Sequence, residues 1–187
     1  MKAIAEDVRS AFPDLARISD RELAEKIIRI WCEVWEESEW QGLSDCPYNP
    51  LVPEISLVEH VNQVVRGACD LAARSQESVG IHIDDDVLLA AGILHDVSKL
   101  VEYEPGPGKK AQKSELGRRY QHAFYGAFKA EAEDLPSEVI QIIINHTPSS
   151  NEVPNTPEAL CIYYSDMCAA DLARLSSGAP LLVEAHR

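Results

Sequence analysis

Apolar residues recur at intervals of three and four along most of the chain, the period of helices that each lay one face on a core. Asp20 is placed to cap a helix carrying Leu23, Ile27, Ile28, Ile30, Trp31, Val34 and Trp35 on one wide stripe. The stripe stops before residues 42–53, GLSDCPYNPLVP, whose three prolines predict a loop. Ser56, with Glu59 three positions on, has the pattern of a capping box. Leu57, Val58, Val61, Val64, Val65, Ala68, Leu71 and Ala72 form the buried face behind it. Asp84, Asp85 and Asp86 supply an N-cap and first-turn negative charge to a helix beginning at Val87. That helix, VLLAAGILHDV, is apolar or small at nine of eleven positions, which predicts a central element covered on nearly all sides. A Gly-, Pro- and Lys-rich loop over 104–114 follows, then helices over about 119–133, 136–145 and 157–176. Pro136 and Pro157 suit first helical turns. Without an internal repeat or a series of alternating strands, the pattern predicts a single all-α domain.

Polar residues in the wrong places carry the chemistry. His95 and Asp96 sit among Ile93, Leu94 and Val97, with Ala91 and Gly92 one turn earlier, small enough for a neighbouring helix to come close. A carboxylate there costs several kcal/mol in desolvation unless a cation or strong donors meet it. The same anomaly recurs at His60 between Val61, Val64 and Val65, at His146 ending IIINH, and at Asp166 between Ile162, Tyr163, Ala169 and Ala170. His122 precedes a mixed helix in which Gly126 again predicts close packing, while His82 falls in a loop and His186 beside the C-terminus. Any one of these groups alone reads as a satisfied core residue. Four imidazoles and two inward carboxylates on separate helices read as the ligands of a transition-metal centre. An N/O set without thiolate suits iron or manganese first, with cobalt, nickel and zinc also compatible. Six protein ligands exceed what one open catalytic metal takes, whereas two metals sharing a bridging carboxylate would use them all.

The chain has 187 residues, 45% hydrophobic and 26% charged, enough apolar material for a proper core. Its 17 Lys and Arg against 31 Asp and Glu give a net charge of −14, which repels phosphate backbones and anionic lipid, so stable nucleic-acid or membrane binding is not expected. No window approaches 18 continuous apolar residues, and the start, MKAIAEDVRSAF, with Glu6 and Asp7, lacks the features of a signal or transit peptide. Five scattered cysteines without CxxC spacing read as reduced thiols of a cytoplasmic protein and do not favour a thiolate zinc site. One segment opposes the acidic balance: Lys109, Lys110, Lys113, Arg118 and Arg119 stand against Glu115. It reads equally as a guide for a phosphorylated substrate or as a mobile solvated loop. Lys99 follows His95 by four residues, so its ammonium can reach a metal-bound phosphate as a point charge. The Trp31, Trp35 and Trp40 stripe can cover the core or pair with another subunit, which leaves a homodimer open, and the loop from Tyr48 to Pro53 is placed to line the pocket.

The order His60, then His95-Asp96 inside ILHDVSKL, then His122, His146 and Asp166, resembles the HD superfamily of metal-dependent phosphohydrolases, in the version with two additional histidines. The resemblance spans roughly residues 55–175, with Ser98 standing where the family usually has Gly, a departure expected to affect ligation little. It implies a compact HD-domain-like helical bundle in which 55–176 form the metal-binding core, 1–54 a helical extension and 177–187 a tail. It also implies that His60, His95, Asp96 and Asp166 hold one divalent metal, and His122 and His146 a second, with Asp96 bridging. The chemistry implied is hydrolysis of a phosphomonoester or phosphodiester of a small molecule, a nucleotide by preference, with Asp96 and Lys99 as the catalytic pair; their positive charge makes Lys99 and, in the basic segment, Lys109, Lys110, Lys113, Arg118 and Arg119 candidate substrate-binding residues. A metal-activated water would attack phosphorus, so no Ser or Cys nucleophile is required, and Glu59 is better explained as a cap than as a partner of a ligand imidazole. Two other readings share the ligand set: a di-iron oxygenase resembling myo-inositol oxygenase, and a non-catalytic metal- or nucleotide-binding module. Without a base-reading or phosphate-cradling motif, the organic part of the substrate is open.

Overall fold

A computed structural model describes residues 5–147, 150 and 152–184. His186 and the side chain of Lys109 lie outside the described residues. The helices are α1 (Ala5–Ala11), α2 (Arg21–Glu37), α3 (Leu57–Val79), α4 (Asp85–Leu94), α5 (Lys99–Glu102), α6 (Glu115–Arg119), α7 (Phe124–Ala132), α8 (Ser137–Asn145) and α9 (Pro157–Ser176). The architecture is an all-α bundle. The expected caps form: Asp20 accepts from the Glu22 and Leu23 amides, Asp84 from those of Asp86 and Val87, and Ser56 and Glu59 close a reciprocal capping box. Asp86 sits in the first turn of α4 as expected and also binds the Ser19 amide and hydroxyl and the Asp20 amide, tying the entrance of α2 to that of α4.

Two short antiparallel ribbons interrupt the helices where loops alone were expected. Pro47–Asn49 (β1) pairs with Val52–Ser56 (β2), and Tyr103–Pro105 (β3) pairs with Ala111–Lys113 (β4). The second ribbon and α6 turn the basic segment into ordered structure, and the helix expected over 119–133 starts only at Phe124, as α7, because the turn that carries His122 separates it from α6.

Helix α3 lies along α9 and crosses α4, with α2, α7 and α8 closing the sides. Glycines permit the closest approaches. A Cβ at Gly92 would stand 3.1 Å from Val65 Cγ2, one at Gly126 2.8 Å from Val97 Cγ1, and one at Gly67 2.4 Å from Ser165 Oγ. The tryptophan stripe belongs to this core. Trp31 is fully buried and donates Nε1–H to the Ile93 carbonyl, Trp35 donates to the Trp40 carbonyl, and Trp40 donates to that of Tyr103. Residues before Leu57 therefore share one hydrophobic cluster with the helices that follow. Among the described residues no helix is long and apolar enough to cross a membrane.

Candidate metal centre

The apolar helix α4 ends at Leu94, one residue before His95, and the chain tightens there into turns closed by Leu94 O with Val97 N and Asp96 O with Lys99 N. Every carbonyl of the last turn finds a donor. Ala91 O takes the His95 amide, Gly92 O the His95 Nδ1–H at 2.7 Å, Ile93 O the Trp31 indole and Leu94 O the Val97 amide. Because Nδ1 is committed to Gly92, His95 presents Nε2 as a lone pair beyond the helix end. His146 repeats the device at the end of α8, its Nδ1 2.7 Å from Ile143 O. His60 comes from the first turn of α3 and Asp166 from the middle of α9. Ser165 Oγ, which donates to Val64 O at 2.8 Å over the gap left by Gly67, sets the register that brings Asp166 to His60.

The six side chains named from sequence converge. His60 Nε2 lies 3.0 Å from Asp166 Oδ1 and 3.3 Å from Asp96 Oδ2, and His95 Nε2 lies 3.4 Å from the same Asp96 oxygen. The other oxygen, Asp96 Oδ1, faces His122 Nε2 at 3.1 Å and His146 Nε2 at 3.6 Å. Asp96 thus turns one oxygen to each of two groups that could hold a metal ion: His60, His95, Asp96 and Asp166, and Asp96, His122 and His146. Those approaches are close in distance but not directed as hydrogen bonds: Nε2 of His60 and of His95 and Oδ1 of Asp96 are buried without a hydrogen-bond partner. His122 and His146 set Nε2 against Nε2 at 3.3 Å, two lone pairs that need a proton or a metal between them. An ion with bonds of about 2.1 Å holds neighbouring ligand atoms about 3 Å apart, so the cluster fits one.

The charges agree. Burial works to raise the Asp96 carboxyl, but Lys99, His95 and the approaching His122 and His146 outweigh it and hold the group well below the usual carboxylate range. Burial likewise opposes ionisation of Asp166, yet His60 and His95 bring it down to about 2. His60 and His122 would be driven neutral by burial alone; carboxylate neighbours raise both, His122 to about 9, whereas burial prevails at His146 and lowers it.

Lys99 holds Asp96 Oδ2 at 2.6 Å and lies 5.1 Å above the Tyr48 ring, and its ammonium stays charged despite burial because Asp96 and Asp166 face it. Tyr48 stacks on His60 with ring centroids 4.3 Å apart, so the loop expected to line the pocket buttresses a candidate ligand. Ser98 accepts the Gly126 amide at 2.8 Å and keeps α7 against the Asp96 turn. The basic segment packs on α5 through Gly117; Arg118 bonds the Lys113 carbonyl, Arg119 approaches Glu115 at 3.6 Å, and Lys110 and Lys113 are exposed.

Glu102 was not anticipated. It is buried, accepts from His122 Nδ1 with both oxygens at 2.9 and 3.0 Å, and takes the Ala123 amide at 3.3 Å. A Glu one turn beyond Lys99 among apolar residues was the available signal. Ala123 itself adopts a left-handed φ of 69°, the conformation that turns His122 back toward Glu102.

An all-α bundle that focuses imidazoles and carboxylates on one buried point is the arrangement expected of an HD domain. A sequence model of the HD domain matches residues 57–171, more than half of the chain, and the chain belongs to that family. It is also similar to the dihydroneopterin 2′,3′-cyclic phosphate phosphodiesterase of Methanocaldococcus jannaschii, with 28% identity over 117 residues, 60% of this chain. The matched segment spans 45% of that protein, less than half of its length. No solved structure gives a significant match.

Proposed function

We propose that the protein hydrolyses a phosphomonoester or phosphodiester of a small molecule, by preference a nucleotide, at a centre of two divalent metal ions. The observation that supports this reading most directly is the division of the two Asp96 oxygens between two ligand groups. His60, His95, Asp96 and Asp166 would hold one ion and Asp96, His122 and His146 the other, with iron or manganese the first candidates for this N/O set. When bound, such ions lower the pKa of a coordinated water to about 7 and polarise a phosphoryl oxygen.

The chain supplies the rest. Nδ1 hydrogen bonds fix the His95, His122 and His146 rings so that their Nε2 lone pairs point inward. Lys99, charged and anchored to Asp96, is in reach of negative charge growing on phosphoryl oxygens, which it stabilises without giving up its proton. Tyr48 and the apolar turn around Val97 exclude water from the rear of the centre. The relative's substrate, a cyclic phosphodiester by its name, belongs to the same chemical class. The exposed cations of the basic segment are far better suited to drawing an anion toward an acidic surface than to holding it.

Metal content of protein purified without chelators, with hydrolysis of bis(p-nitrophenyl) phosphate followed in parallel with and without O₂, tests the reading. About two ions per chain and turnover independent of O₂ are expected. One ion per chain refutes the two-metal centre. O₂ consumption by an iron pair replaces hydrolysis with oxygenation, and metal-free protein after reconstitution reduces the cluster to a polar core.

A further inference from the structure

A groove of about 340 Å³ lies between α7 and α8 and is lined in part by His122. Its volume falls within the range of small-molecule sites, about 300–1,000 Å³. Phe124 and Phe128, one turn apart on α7, form one wall, and Ile140 and Ile144 on α8 form the other. Both phenylalanines are about half exposed although each is large and apolar, and Tyr120 stacks on Phe124 at the rim with ring centroids 5.2 Å apart and planes 13° from parallel. Gln121 and His122, from the turn before α7, also line it, as does Glu131 one turn beyond Phe128.

We infer that this groove is the specificity pocket for the organic half of the ester, and that this half is a flat, heteroaromatic ring system such as a nucleobase. The inference rests on the phosphohydrolase reading for the position of the phosphate. His122 provides the continuity: its Nε2 belongs to the cluster, its ring belongs to the groove wall, and at 24% side-chain exposure it is the most accessible of the six cluster residues. A phosphate at the cluster therefore leaves its organic substituent in the groove. A slot with aromatic faces on one side and branched aliphatic chains on the other accepts a planar ring, since every base has a π-face to stack and no hydrogen-bond code is needed. Charge sets the polarity. The Glu131 carboxylate repels phosphate and accepts from ring N–H or amino groups, so the ring points toward Glu131 and the ester toward His122.

The test uses metal-loaded full-length protein, adenosine 2′,3′-cyclic phosphate, and the same cyclic ester of 1-O-methyl ribose, which lacks the base. The wild type should favour the base-bearing ester in kcat/KM by about 5- to 150-fold, the worth of one stacked base. Phe128→Ala should raise KM for that ester with little change in kcat, so that the preference collapses toward one. Equal use of the two esters by the wild type, or equal loss on both in Phe128→Ala, overturns the inference. If neither ester is cleaved, the phosphohydrolase reading fails separately. The groove is then judged by saturation-transfer NMR with adenosine, where a signal in the wild type that disappears in Phe128→Ala upholds the slot and no signal overturns it. A dimer in sedimentation that Phe128→Ala dissociates makes the groove a subunit interface and also overturns it.

Discussion

Glu102→Gln isolates the contribution of a carboxylate that touches no substrate. In the wild type both Glu102 oxygens accept from His122 Nδ1, and one also takes the Ala123 amide. The amide retains one acceptor but removes the charge and leaves a buried NH₂ without a counterpart, an unsatisfied group worth about 1–3 kcal/mol. Loss of such an orienting partner lowers metal affinity about 10–100-fold, or about 1.4–2.7 kcal/mol. Protons complicate the measurement in a useful way. His122 is raised to about 9 by Asp96 and Glu102, so below that pH a metal must displace a proton from it, and wild-type affinity should rise by up to about tenfold per pH unit from 7 to 9. In Glu102→Gln one of the two carboxylates is gone, the His122 pKa falls, and the pH dependence flattens. The variant therefore binds closer to wild type at pH 7 and shows its full deficit at pH 9. Zinc titration against a chromophoric chelator at both pH values measures this. Glu59→Gln is the control, since it weakens the α3 cap by about 1 kcal/mol without touching an imidazole. Equal zinc affinity of Glu102→Gln and wild type at both pH values would refute the role given to Glu102.

Three further perturbations follow from the same geometry. Asp96→Ala should lose both ions by elemental analysis, because each ligand group uses one of its oxygens, and full metal content in that variant sinks the bridging assignment. Gly67→Ala places a methyl 2.4 Å from Ser165 Oγ and should cost about 1–3 kcal/mol in chemical denaturation while displacing Asp166. Ser165→Ala in the same chain should recover at least about 0.5 kcal/mol of that cost, and strict additivity of the two changes contradicts the packing account. Ala123→Gly relieves a left-handed residue and should keep or raise the melting temperature, by up to about 1 kcal/mol in stability, whereas Ala123→Val should lower both stability and metal content.

Much of the protein was legible from local rules. The caps at Asp20, Ser56 and Asp84, the central burial of α4, the small residues at contact points and the six inward polar groups all follow from period, capping chemistry and the cost of burying charge. These effects act within a turn or two of the residue concerned, so a one-dimensional reading captures them. The ribbons around Pro47 and Tyr103 did not announce themselves, because a two-stranded ribbon of three to five residues is stabilised by what it packs on and carries little alternation of its own.

What only the tertiary structure decided concerns distances between residues far apart in the chain. The partition of Asp96 between two ligand groups depends on where α3, α8, α9 and the His122 turn meet it, and no spacing encodes which oxygen faces which imidazole. Glu102 became meaningful when its carboxylate was found on His122, twenty residues away, and the tryptophans of α2 when Trp31 closed the last open carbonyl of the helix before His95. The groove between α7 and α8 arises in the same way, from two helices whose aromatic and aliphatic edges leave a gap beside His122. Sequence determines which groups must be hidden or satisfied; the packing of helices determines which of them meet.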